Sequence, residues 1–274
     1  MVEKLRVDTN KCVGCGNCVL VCTMGVISVR DGRAYVNEDE CVECGTCRRF
    51  LRVEGLNPTI VRLARSVAST LHLNYDAPVD VCPTGALYQP EMEWPRTVRQ
   101  AFSDPTVKHP TTGIGGRGTE EIKTNDVTGR LGPGDAGLIV EMGRPGMGTR
   151  FTDLQKMSMA LARVGAQFEP KNPVTSLMTD ASTGQINPDV LNEKVMSAII
   201  EMKVPIERIP ELLGVIREVA GQVDTVFSVA VAGRCDPEGR IPYEDAVREA
   251  GWNLSLNAKT NLGLGRRNDG GSSK

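Results

Sequence analysis

Cysteines at fixed spacings are the residues of this chain best suited to chemistry. Seven of the nine fall in two short runs and an eighth stands alone before a proline: Cys12, Cys15, Cys18 and Cys22, then Cys41, Cys44 and Cys47, then Cys82. Thiolates two residues apart can wrap three corners of one iron–sulfur cluster, while the cysteine that follows reaches a neighbouring cluster. The spacing therefore predicts two 4Fe-4S clusters.

The second run of cysteines repeats the first. Residues 12–18 read CVGCGNC and residues 41–47 read CVECGTC, and residues 21–27 (VCTMGVI) are echoed by residues 81–87 (VCPTGAL). This repeat resembles the bacterial-type ferredoxins, small electron-transfer proteins with two 4Fe-4S clusters. The resemblance implies crossed ligation. One cluster would be held by Cys12, Cys15, Cys18 and Cys82, and the other by Cys22, Cys41, Cys44 and Cys47.

Two departures from the ferredoxin pattern concern the turn after Cys22 and the spacer before Cys82. Thr23 stands where that family usually has proline, and 34 residues separate Cys47 from Cys82 instead of about three. Within the spacer, residues 58–72 carry apolar side chains at the spacing of one helix face, so we expect an inserted helix. Zinc ligation, disulfide bonds, or one 4Fe-4S with one 3Fe-4S cluster are the alternatives for these cysteines.

The composition is that of a globular chain without a strongly charged surface. The 274 residues suit two domains, and the formal net charge is −2. We therefore expect no nucleic-acid partner, no membrane segment and, because clustered cysteines suit a reducing compartment, a cytoplasmic location. With only His72 and His109, a Ser-His-Asp apparatus is not expected, and we identify no catalytic residues. The remaining cysteine, Cys235, is interpreted as a bystander.

Arginines accumulate after the second run of cysteines. They are Arg48, Arg49, Arg52, Arg62 and Arg65. One interpretation is a solvated face. The other is a dock for an acidic partner, because two oxidised clusters with four thiolates each would add about −4 to an otherwise neutral segment.

Changes in composition along the chain suggest the domain boundaries. We assign residues 1–95 to the two-cluster domain, 96–135 to a glycine-rich linker or partner-contacting segment, 136–264 to an α+β sandwich domain and 265–274 to a disordered tail. Residues 113–118 match G-x-G-x-x-G, but they lack the flanking strand and helix of a nucleotide-binding loop. We interpret them as an ordered segment that contacts a partner or the clusters, with a plain linker or a nucleotide-binding loop as alternatives.

The C-terminal residues alternate between strand and helix patterns. Strands are predicted at 137–142, 173–179, 225–232 and 252–256, and helices at 152–164, 187–202, from about 210 to 221, and 242–250. Thr152 and Gln155 form a predicted capping box. With the helices between 187 and 221 set aside as an insertion, two β-α-β units remain, which is the split βαβ arrangement of α+β sandwiches. The loop at 143–150 is similar to that of ACT-type ligand-binding domains, which implies a small-molecule ligand at this domain.

A second resemblance bears on function. Residues 115–129 look like a segment of the anaerobic, ferredoxin-dependent 6-hydroxynicotinate reductases, which pair iron–sulfur clusters with a flavin. We find no flavin motif in the chain. We therefore expect a non-catalytic electron-transfer subunit of a cytoplasmic, anaerobic oxidoreductase complex, with a catalytic partner subunit that holds flavin, molybdenum or tungsten. The alternatives are a reductase of that type acting on a small cyclic substrate, and a ligand- or redox-sensing regulator.

Overall fold

The computed structural model describes residues 6–48, 58–73, 81–115, 126 and 129–255. The N-terminal elements are β1 (Arg6–Val7), α1 (Asn17–Leu20), β2 (Ile27–Arg30), β3 (Arg33–Val36), a 3-10 turn (Thr46–Arg48), α2 (Pro58–Thr70), β4 (Leu87–Tyr88) and α3 (Thr97–Ser103). The helix predicted in the spacer is confirmed as α2.

Two small antiparallel sheets accompany the cysteine runs. β2 pairs with β3, with Ile27 opposite Val36, and β1 pairs with β4, with Val7 opposite Leu87. Their buried side chains form a small core that also includes three cysteines: Cys18, Ile27, Val36, Cys41, Cys47 and Leu87. Strands of two to four residues bury too little apolar surface to be stable alone, so this region depends on further interactions.

The C-terminal elements form a larger α+β unit. They are β5 (Asp135–Met142), β6 (Thr149–Arg150), α4 (Phe151–Arg163), β7 (Gln167–Phe168), β8 (Met178–Asp180), β9 (Gln185–Ile186), β10 (Lys194–Val195), β11 (Ala198–Pro205), α5 (Ile209–Ala220), β12 (Phe227–Gly233) and α6 (Tyr243–Glu249). Among the described residues, no helix is long and apolar enough to cross a membrane.

The main sheet has four strands in the order β12-β5-β11-β7, and every neighbouring pair is antiparallel. Helix α4 connects β5 to β7, and α5 connects β11 to β12, which gives the β-α-β-β-α-β connectivity of a split βαβ unit. Side chains of β5 such as Leu138 and Val140 pack with Leu154 of α4 and Ile216 of α5 in the main core. The sheet and its helices therefore share one apolar layer.

Strand β11 occupies part of a segment for which the sequence predicted a helix. The helix predicted over 187–202 is wrong: a 3-10 turn at Pro188–Val190 is followed by β10 and β11. Residues 198–202 are buried on both faces of the sheet, so their apolar residues do not alternate with exposed ones. Periodicity cannot separate such a central strand from a buried helix. The predicted helical insertion is thus in part a strand of the sheet. The observed unit keeps the strands predicted at 137–142 and 225–232 and uses β7 and β11 in place of the other two.

Two further strand predictions differ from the structure. Residues 173–179 contain a 3-10 turn, Thr175–Leu177, and only the start of β8, while the short β7 takes the edge of the main sheet. Residues 251–255 have no regular structure, and the rest of the strand predicted to end at Leu256 lies outside the described residues. Both segments are short and pack through loops, so tertiary contacts outweigh local preference.

The predicted capping box at the start of α4 is also wrong. The N-cap residue is Arg150, without a side-chain capping bond. The Gln155 Oε1 atom instead accepts a hydrogen bond of 2.9 Å from the Ile186 backbone N–H of β9. The glutamine therefore ties the helix to a neighbouring hairpin rather than closing its own N-terminus.

Helix α3 lies in the segment that sequence analysis assigned to a linker. Phe102 is 2% exposed and belongs to the main core, with its ring 5.4 Å from that of Phe151 in an edge-to-face contact. A helix of seven residues is too short to show a clear period in the sequence. Residues 97–103 are therefore packed structure, while the boundaries assigned at 95 and 135 stay predictions.

We expect Phe102→Ala to destabilise the α+β unit. Loss of a buried phenylalanine costs about 3–5 kcal/mol because a cavity is left behind. Ile241→Ala, at a side chain 41% exposed, is the matched control and should change stability little. Thermal unfolding followed by circular dichroism distinguishes the two. Equal melting temperatures for both variants would contradict the placement of α3 in the core.

Candidate iron–sulfur site

The eight predicted ligand cysteines line two separate cavities. One cavity is lined by Cys12, Cys15, Cys18 and Cys82, and the other by Cys22, Cys41, Cys44 and Cys47. Each cavity takes three cysteines from one run and the fourth from the other half of the repeat. All nine cysteines fall within the described residues and are free thiols, so the structure joins none of them in a disulfide.

Cys22 and Cys82 occupy matching turns. Three residues after each cysteine, Gly25 (φ 63°) and Gly85 (φ 60°) adopt the left-handed conformation that glycine tolerates best. The amide of the next residue then donates a hydrogen bond to the cysteine Sγ atom, at 3.4 Å for Cys22 and 3.1 Å for Cys82. Thr23, in place of the expected proline, leaves this turn intact. Hydrogen bonds to ligand sulfurs help set the potential of an iron–sulfur cluster.

Gly14 and its equivalent in the second run share a left-handed backbone but differ in residue type. Gly14 has φ 65°, and a Cβ atom built on it would lie 2.4 Å from the Gly32 carbonyl oxygen. The equivalent residue of the second run is Glu43, which keeps a left-handed φ of 55° although it carries a side chain. A left-handed non-glycine residue costs on the order of 1–3 kcal/mol and persists only when other contacts hold it.

A buried ion pair supplies such contacts for Glu43. The carboxylate accepts a hydrogen bond of 2.9 Å from Arg96 Nε, and both side chains are nearly inaccessible, at 4% for Arg96 and 0% for Glu43. Gln89 Nε2 donates to the other carboxylate oxygen at 3.1 Å. The charge of Glu43 is thus balanced at the wall of the second cavity, which both Glu43 and Gln89 line.

Arg99 holds the chain segment that leads into Cys41. Its Nη1 atom donates to the backbone carbonyls of Asp39 and Cys41, each at 2.8 Å, and to that of Glu38 at 3.3 Å. The same guanidinium is paired with Glu193 of the α+β unit. One side chain therefore connects the second cysteine run to the C-terminal sheet through α3.

The α+β unit touches the second cavity at two more places. Glu40, just before Cys41, pairs with Arg150 and Lys194, which lie on the paired strands β6 and β10. Hydrogen bonding from Lys194 and the nearby positive charges lower the pKa of the Glu40 carboxyl. Gly148, in the predicted ligand loop, lies so close that a Cβ atom on it would be 2.8 Å from Met24 Cε, and Met24 lines the cavity. The second site lies at the junction of the two parts.

The cysteines have the burial expected of cluster ligands. Burial, reinforced by the neighbouring Cys15, Cys82 and Cys12 thiols, raises the pKa of Cys18 to about 11. Burial and the adjacent Glu43 carboxylate raise the pKa of Cys41 to about 12. With pKa values this high the two thiols stay protonated at neutral pH, whereas bound iron would stabilise the thiolate and release the proton. Four soft sulfur donors around each cavity fit an iron–sulfur cluster.

Comparison with known protein families assigns the first run. Residues 5–28 match the model of the 4Fe-4S binding domain family, and this match contains Cys12, Cys15, Cys18 and Cys22. Residues 5–28 are therefore similar to a 4Fe-4S binding domain. No curated protein and no solved structure matches it. The domain supports an iron–sulfur electron-transfer role, and the second run, at 41–47, lies outside the matched residues.

Sequence reasoning missed the charged residues that support the second run. The sequence did not predict the burial of Glu43, Arg96 and Arg99, because a charged residue is expected to be exposed unless its partner is known. The one available hint was the substitution of glutamate for glycine between otherwise equivalent positions of the repeat. The structure says less about the other residues that the sequence singled out. Arg48 contacts Gln89 and Cys235 is exposed, whereas Arg49, Arg52 and residues 116–118 lie outside the described residues.

We expect Gly14→Ala to impair the first cavity more than Gly16→Ala. Both positions have positive φ, but only at Gly14 would the new methyl group collide with backbone, at the Gly32 carbonyl. Iron analysis and visible absorption of the anaerobically purified variants test this. Gly14→Ala should lose about half of the iron, while Gly16→Ala should retain most of it. Equal retention would contradict the close approach of Gly14 to the β2–β3 turn.

Removal of Arg96 should destabilise the protein because it leaves Glu43 charged and buried. Breaking a buried pair by removing one partner typically costs about 3–5 kcal/mol. Arg96→Met should therefore lower the melting temperature strongly, and Arg96→Met/Glu43→Gln should recover part of the loss. Arg240→Met, which breaks an exposed pair with Asp236, is the control and should cost under about 1 kcal/mol. No recovery in the double variant would contradict the pairing.

Proposed function

We propose that this chain is an electron-transfer protein with two 4Fe-4S clusters that serves a larger oxidoreductase. One cluster is held by Cys12, Cys15, Cys18 and Cys82, and the other by Cys22, Cys41, Cys44 and Cys47. The observation that carries this proposal is the convergence of four cysteines on each of two cavities, with the fourth exchanged between the halves. Such exchange is how two-cluster ferredoxins share their ligands.

The shape of the cavities supports clusters over single zinc ions. A zinc ion needs four donors within about 2.3 Å of one point. Among the described residues, no three His, Cys, Asp or Glu side chains are placed to hold one metal ion. The cysteines instead line the walls of two open cavities, four to each. When bound there, a cluster supplies reversible one-electron chemistry, and the chain supplies the thiolates and the N–H groups that donate to them.

The exposure of the cysteine loops supports electron exchange with another molecule. Leu20 lies between Cys18 and Cys22 and is 88% exposed, and Cys15 and Cys44 are only partly buried. Clusters in these loops would lie near the surface. The partner we propose is a catalytic subunit that holds flavin, molybdenum or tungsten. A ligand at the α+β unit and a cytoplasmic, anaerobic setting remain predictions.

We expect about eight iron and eight acid-labile sulfide per chain after anaerobic purification, as two 4Fe-4S clusters require. The crossed arrangement adds a sharper expectation for single variants. Cys82→Ala should leave the same residual paramagnetic resonance spectrum, after reduction, as Cys15→Ala. Cys22→Ala should match Cys44→Ala. Cys235→Ala is the control and should keep the full iron content.

Two results would oppose this function. Stoichiometric zinc, or four iron in the wild-type chain, would remove the two-cluster proposal. A residual spectrum of Cys82→Ala that matches Cys44→Ala would show that the long spacer has changed the pairing.

A further inference from the structure

Helix α2 presents its apolar stripe to solvent. Three side chains of α2 and that of Leu71, whose amide continues the helical hydrogen bonding to Val67, follow the spacing of one helix face. All four have large exposed fractions: Ile60 62%, Leu63 65%, Val67 49% and Leu71 60%. Of the helix side chains that the structure describes, only Ala68 is buried. An amphipathic helix normally turns such a stripe towards the core. A contiguous exposed apolar surface of this kind marks an interaction site.

The sequence that carries this stripe is basic. Arg62 and Arg65 are the only charged residues of α2, and the whole spacer between Cys47 and Cys82 contains five arginines against three carboxylates, in a chain of net charge −2. Arg48, the first residue of the spacer, is exposed. An apolar stripe in a basic segment complements a surface with an apolar centre and acidic surroundings, and such complementarity speeds encounter.

We propose that the α2 stripe, Ile60, Leu63, Val67 and Leu71, is the docking surface for an acidic redox partner protein. This inference rests on the proposed electron-transfer function. The helix lies in the insertion between Cys47 and Cys82, which line different cavities. It is therefore joined through the chain to one cysteine of each cavity. A second copy of this chain would bring like charges together. Membrane-surface helices commonly carry Trp or Phe, and residues 58–73 contain no aromatic side chain other than His72.

The test uses the full iron-loaded chain and a flavodoxin hydroquinone as the acidic one-electron donor. Each donor molecule loses one electron to become the semiquinone, and one cluster gains it. Stopped-flow spectroscopy gives the second-order rate at several salt concentrations. Leu63→Gln/Val67→Gln should lower the rate at least tenfold at low salt, and Arg62→Gln/Arg65→Gln should lower it and flatten its salt dependence. Ile241→Gln and Arg240→Gln, exposed changes outside α2, should stay within about twofold of wild type.

The outcomes separate this inference from the proposed function. Iron content and reduction by dithionite are measured for every variant. Absence of iron in the wild-type chain would remove the proposed function itself. Intact clusters with equal flavodoxin rates in wild type and α2 variants would overturn the docking surface and leave electron transfer standing. A dimer in sedimentation velocity, or binding to phosphatidylserine vesicles, that Leu63→Gln/Val67→Gln abolishes would instead assign the stripe to self-association or to a membrane surface.

Discussion

The N-terminal region brings four thiol groups to each of two cavities, where burial and neighbouring thiols oppose the charged form that would bind iron. The raised pKa values of Cys18 and Cys41 show this opposition. A bound cluster would offset it, since a cation favours the thiolate. The surrounding strands have only two to four residues, so they add little apolar burial of their own. Contacts from α3 and the α+β unit therefore help to hold this region in place.

Contacts from α3 and the α+β unit are concentrated on the second cavity. Arg96 and Arg99, at α3, bind the segment around Cys41. From the α+β unit, Arg150 pairs with Glu40 and Gly148 approaches Met24. A buried ion pair such as Arg96–Glu43 adds little net stability compared with apolar packing, but it strongly disfavours arrangements that separate its partners. These contacts together hold the second cysteine run in one position.

The sequence predicted what depends on local spacing and missed what depends on distant partners. The resemblance to two-cluster ferredoxins implied the grouping of cysteines that the two cavities show, and apolar periods located α2, α4, α5 and α6 to within a few residues. Strand β11 was predicted as a helix because burial on both faces removed the alternation that identifies a strand. Helix α3 was missed because its seven residues are too few to show a period. Arg96 and Arg99 were invisible because their carboxylate and carbonyl partners lie more than fifty residues away in the chain.

The hydrogen bonds from Arg99 to the carbonyl groups of Glu38, Asp39 and Cys41 bear on how the second cavity would bind a cluster. A flexible loop that must close around iron loses conformational entropy at that moment, at roughly 1–2 kcal/mol for each backbone residue fixed. Here a guanidinium anchored on Glu193 already fixes the backbone from Glu38 to Cys41. That ordering belongs to the folding of the polypeptide and not to metal capture. The backbone that leads to Cys41 is therefore ordered before a cluster would bind. Among the described contacts, none from the α+β unit orders the Cys12 loop in the same way.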